Sequence, residues 1–136
     1  MAETHPYLHC MSRPLRFRVW DRTSQAMYPV IALHMIDGAI TLVHAHRGVE
    51  PLVFLDMSLV DVMQGTGKVH CMGKEIYEGD IVEFMNFEPA AVFWSNERNC
   101  WMTQFPIQVP ELGAFFPEDL EIVGNIWENP EELGLE

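Results

Sequence analysis

After Arg98 the chain contains no lysine or arginine. The 38 residues that follow (136 − 98) hold eight Asp and Glu and stand at −8, while the first 98 carry all eight basic residues against twelve acids and stand at −4. A net charge of −12 lacks the cationic footprint that phosphate backbones require, so nucleic-acid binding is disfavoured. A solvated acidic surface is the plainest reading, and a basic protein partner is the alternative. Cysteine is scarce and odd in number, at positions 10, 71 and 100. That argues against a disulfide framework and for reduced thiols in the cytoplasm. No apolar run approaches the ~18 residues of a membrane span. The first fifteen residues lack the apolar stretch of a secretory signal. No Cys-x-x-Cys pair occurs, and Gly65-Thr66-Gly67 is too short for a phosphate-cradling loop and leads into no clear helix.

What the chain does have is alternation. Its 136 residues are 49% apolar, enough for one domain with a real core. Residues 16–20 alternate with a period of two and predict a strand; 27–33 predict a second. Asp37-Gly38, between Met35-Ile36 and 39–43, predicts a tight primed hairpin turn, because both residues tolerate positive φ. A break follows at 47–51. Leu52, Leu55, Leu59, Val60 and Met63 fit a helical stripe, but 53–55 and 59–60 also suit strands; a strand followed by a short turn or helix is expected. Residues 64–67 read as a break. Glu78-Gly79-Asp80 predicts the sharp reversal of a hairpin, in which the Asp80 carboxylate accepts backbone N–H groups. Further strands are expected at 80–87, 90–94 and 100–105, then an irregular connection at 113–119. A closing strand at 121–127 should place Ile122, Gly124 and Ile126 on one face and Val123, Asn125 and Trp127 on the other. Many short strands with turns between them predict an all-β barrel or sandwich with minor helix content.

Five segments recur as a pattern in order: Arg-Phe-Arg-Val-Trp-Asp at 16–21, Met27-Tyr28, Met-Gln-Gly-Thr-Gly at 63–67, Gly-Lys-Glu-Ile-Tyr-Glu-Gly-Asp-Ile-Val at 73–82, and Ile-Val-Gly-Asn-Ile-Trp-Glu-Asn-Pro at 122–130. Together they resemble the YopX family of phage and prophage proteins. The resemblance covers about 15–133, leaving residues 1–14 as an extension and 15–136 as the domain. It implies an SH3-like barrel or roll over 65–131 with an additional N-terminal β-hairpin region. It also implies a phage or prophage setting in a bacterial cytoplasm, and it brings no activity with it. Gly73, Ile76, Tyr77, Gly79, Asp80, Gly124, Asn125, Trp127 and Pro130 are expected to define the fold.

No enzymatic site is expected. The acids of the motifs, Glu75, Glu78, Asp80 and Glu83, lack an evident nucleophile or base partner. Cys71 or Cys100 with a histidine could form a dyad on paper, yet buried thiols are common core residues. His9-Cys10, His70-Cys71 and His44-x-His46 offer zinc-type ligands, but neighbouring residues of a strand point to opposite faces. No catalytic residue, metal or cofactor is therefore assigned. The expected function is an accessory protein that contacts a host or phage protein, with homo-oligomerisation through an exposed edge strand. The alternatives are a nucleic-acid-associated β-barrel or an acidic nucleic-acid mimic that inhibits a host factor.

Overall fold

The computed structural model describes residues 14–135. Ten strands occur among them: β1 (Phe17–Asp21), β2 (Ala26–Ile36), β3 (Ala39–Arg47), β4 (Glu50–Phe54), β5 (Val60–Val69), β6 (Glu75–Tyr77), β7 (Asp80–Glu83), β8 (Ala90–Ser95), β9 (Cys100–Thr103) and β10 (Glu121–Asn125). Short 3-10 turns lie at Met57–Leu59, Leu112–Ala114, Pro117–Asp119 and Pro130–Leu133. The strands form a six-stranded sheet in the order β4-β3-β2-β1-β5-β6 and a four-stranded sheet in the order β10-β7-β8-β9. All pairings are antiparallel. The all-β fold matches the reading of the sequence, but the strands make two sheets and do not close into one barrel.

The first sheet is built from neighbours in sequence. Asp37 and Gly38 lie at φ 51° and 81°, the primed geometry whose twist matches that of the flanking strands. Gly48, at φ 63°, makes the next two-residue turn, closed by Arg47 opposite Glu50. From that closure the ladder alternates, so Pro51, opposite His46, directs its missing N–H outward and costs no ladder bond.

The sheet curls strongly. Four inter-strand spacings separate β4 from β5, about 19 Å if flat. The connecting chain, shortened by its 3-10 turn, reaches only about 16 Å. Accordingly the end of β1 and the turn after it (Asp21, Thr23) and the end of β4 (Val53, Phe54) line one cleft of about 260 Å³. The concave side encloses Val19, Tyr28, Val43, Ala45 and Val60, with Met57 packed against them.

Two expectations change at β5 to β7. Residues 64–67 do not break the chain; they lie inside β5, where pairing with β6 slips between Gly65 and Val69. The glycines serve close approach and a bulge, not a loop. A Cβ on Gly65 would stand 2.6 Å from the Glu75 carboxylate, and Gly67 lies at φ 83°. Nor do the strands on either side of Glu78-Gly79 form a hairpin. β6 pairs with β5, whereas β7 pairs with β8 and β10, so this turn carries the chain from one sheet to the other.

The second sheet covers a core of Ile76, Val82, Ala90, Val92, Phe105, Leu112, Phe115 and Leu120. Phe84, Phe105 and Phe115 meet with ring centroids 4.9–5.9 Å apart. Ile76 belongs to the first sheet but buries its side chain here, so β6 fastens one sheet to the core of the other.

Candidate functional site

Four of the five sequence motifs converge where the sheets join. Asp80 is turned inward at the start of β7. One carboxylate oxygen accepts the Tyr77 backbone N–H at 2.7 Å, which holds the Tyr77–Asp80 reversal, and the other meets Arg18 at 2.9 Å. The Arg18 side chain is 15% exposed and that of Asp80 is 4% exposed. Arg18 also donates to the Glu78 carbonyl at 3.1 Å and lies 4.9 Å from the Tyr77 ring centroid. Its Nε is buried without a partner among the described residues. Burial pushes the Asp80 carboxyl above its usual range, while Arg18 and the Tyr77 N–H pull it back. Burial, and then the charge of Glu75, raise the Tyr77 hydroxyl.

Gly79 is the pivot. At φ 86° it adopts a backbone that other residues resist. Its N–H donates to the Val92 carbonyl, and its carbonyl accepts from Ile126 N–H, both at 2.9 Å. Gly73, at φ 80°, closes the turn before β6 by donating to the His70 carbonyl at 2.9 Å.

The last motif is a turn built by two asparagines. Asn125 Oδ1 accepts from the N–H groups of Trp127 and Glu128 at 3.0 and 2.8 Å, and Asn129 Oδ1 accepts from Asn125 N–H at 3.2 Å. Gly124 leaves room for Asn129; a Cβ there would lie 2.5 Å from its Oδ1. The expected alternation over 121–127 fails for two reasons. Pairing with β7 slips between Ile122 and Gly124, and the strand ends at Asn125, where the side chain diverts the backbone into the turn. Pro130 opens the final 3-10 turn. The turn projects Trp127 onto the first sheet, stacked on Trp20 at 6.1 Å, with its indole N–H 3.2 Å from Met63 Sδ and Arg22 at 5.9 Å from its ring centroid.

Two clefts flank this junction. One, of about 460 Å³, is mainly apolar, with Met63, Val92, Phe93, Ile126, Trp127 and Leu133 in its wall. Asp61 and Glu78 are the carboxylates on its rim. The other follows β5 past two tryptophans as two compartments of about 440 Å³ each. The first holds Gln64 and Glu78, the second Thr66 to Lys68 with Asn99 and Cys100; both are walled by Trp94 and Trp101. These indoles are cross-strand partners and meet edge to face at 5.2 Å. Reading the sequence singled out neither as a pair, although each stands two residues from the 96–99 loop, the spacing that places them opposite each other.

The other candidates remain scattered. His44 and His46 share a sheet face, and His34 comes within 5.6 Å of His44, centroid to centroid. No group of three His, Cys, Asp or Glu side chains suited to a metal occurs among the described residues. His70 is buried and accepts Ile122 N–H on Nδ1 at 3.2 Å, while adjacent Cys71 is exposed. His9-Cys10 lies outside the described residues. No helix among those described is long and apolar enough to cross a membrane.

The fold has a counterpart among solved structures. The crystal structure of protein EF1440 from Enterococcus faecalis is similar over 90% of this chain and 99% of that one, with a TM-score of 0.62 at 20% identity, a likeness of fold. Comparison with curated proteins gives no match. The description "YopX protein" matches residues 16–134, the span that contains the two sheets and the junction between them, and the chain belongs to the YopX family.

Proposed function

We propose that this is a non-enzymatic accessory protein of phage or prophage origin that acts in the bacterial cytoplasm by contacting a basic protein partner. The observation that carries the reading is the use of charge. Every arginine among the described residues is already neutralised: Arg16 by Glu75, Arg18 by Asp80, Arg22 by Asp61, Arg47 by Glu50 and Arg98 by Glu111. In the C-terminal third, Glu118, Asp119, Glu121, Glu128, Glu131 and Glu132 form no ion pair with any described residue. The field such a surface projects favours a basic partner and repels nucleic acid. Mimicry of nucleic-acid charge is the narrower form of the same reading.

Strand-to-strand self-association through β4 is not favoured, since Glu50 and Pro51 both discourage edge pairing. Affinity capture from host lysate tests the reading. The wild-type protein should retain a basic protein, and Glu131→Lys with Glu132→Lys should lose it. Retention of nothing, or retention indifferent to the reversal, contradicts it.

A further inference from the structure

We infer that the cleft between β5 and the Trp94–Trp101 pair docks an extended segment of the partner through an arginine side chain. The inference rests on the basic-partner reading above and gives it a place and a chemistry.

Three features of the cleft select a flat cation. Its wall is aromatic: Trp94 is 42% exposed, and its indole N–H is already satisfied by Asn96 Oδ1 at 3.1 Å, so it presents a π face and no unpaired donor. Its carboxylate is unpaired: Glu78 forms no ion pair among the described residues, accepting only a long 3.4 Å contact from Gln64 N–H. Of the nearby cations, one is paired and the other lies in the compartment away from Glu78. Arg18 is spent on Asp80, and Lys68 at the far end donates to the Phe115 carbonyl. An indole face beside a free carboxylate suits a guanidinium, which stacks on the ring while donating in its own plane to the carboxylate. The same chain uses this chemistry internally, with Arg18 over Tyr77 and Arg22 over Trp127. The floor admits a main chain. Gly67 has no side chain, and a Cβ there would meet nothing within 4 Å, so an extended backbone can lie close along β5.

The test is titration of the full-length protein with an acetylated, amidated peptide alternating arginine and alanine, followed by calorimetry and by the indole N–H resonances. Trp94 and Trp101 should shift while buried Trp20 stays fixed. Trp94→Leu keeps the apolar bulk, and Glu78→Gln keeps the acceptor. Each should weaken binding roughly fivefold, the loss of one partly desolvated cation–π or charged contact, with circular dichroism showing that both variants are folded. A lysine–alanine peptide should bind more weakly than the arginine one. If the arginine peptide binds both variants as tightly as wild type but loses affinity for the Glu131→Lys, Glu132→Lys protein, the cleft assignment is wrong and the basic-partner reading survives. If it binds none of them, both fall. Binding of single-stranded oligothymidylate in place of the peptide, with the same tryptophan shifts, would make the wall a platform for bases and overturn the inference.

Discussion

The two sheets reach stability by different routes. The first runs through consecutive hairpins, β1 to β4, with two primed turns and strands of up to 11 residues. Its core is valine and alanine around the single ring of Tyr28, enclosed by the sheet's own curl. The second has strands of four to six residues, takes its outer strand β10 from far along the chain, and depends on a cluster of phenylalanines. Sheet-building in the first is therefore local and owed to backbone twist, and in the second non-local and owed to apolar burial. Neither is independent: Ile76 enters the second core from the first sheet, and Arg18 meets Asp80 across the boundary.

The sharpest way to separate the two cores is to cut each. Phe115→Ala should cost about 4 kcal/mol, because it removes an aromatic side chain from the middle of the cluster. Val43→Ala should cost about 2 kcal/mol, the loss of fewer buried methyl groups. Urea unfolding measures both, and equal costs would erase the distinction. A smaller contrast lies in two glycines. Gly124→Ala drives a Cβ into the side chain of Asn129 close to its backbone and should cost about 2 kcal/mol. Gly65→Ala meets only the far end of Glu75, which can swing aside, and should cost under about 1 kcal/mol. Thermal melts compare them, and a reversed order would show that the asparagine turn yields more readily than the β5 bulge.

The smallest effect is on pH. Asp80 is held above its ordinary range, so in the fold it takes up a proton at a pH where the unfolded chain still does not. Its own contribution to stability therefore rises as pH falls through the folded value, and levels off below the unfolded one near 3.9. The stability gap between wild type and Asp80→Asn, read from urea unfolding at a series of pH values, should widen on acidification. A gap that narrows would mean that the Arg18 pairing outweighs burial.

What the sequence revealed follows the same division. Strand alternation and Asp37-Gly38 made the first sheet legible, because both are local signals. The Asp80 carboxylate on a backbone N–H was legible for the same reason. That Tyr77 to Asp80 joins two sheets was not, since β6 and β7 look like the arms of a hairpin until their partners in β5, β8 and β10 are known. Gly65 and Gly67 resembled a break because glycine at a close approach to Glu75 and glycine in a loop are written identically. At the candidate cleft the tryptophans were visible one by one, but Gln64 and Glu78 are brought opposite them only by the packing of one sheet on the other.

The central claim is that the family's motifs build a joint that makes one body of two sheets. A double-mutant cycle across that joint, Arg18→Met against Asp80→Asn in equilibrium unfolding, tests it most directly. Arg18→Met should cost about 3 kcal/mol, because it leaves the Asp80 carboxylate buried without its cation; Asp80→Asn should cost less, because burial already disfavours that charge; and the coupling energy between them should exceed about 1 kcal/mol. Additive losses with coupling near zero would contradict it.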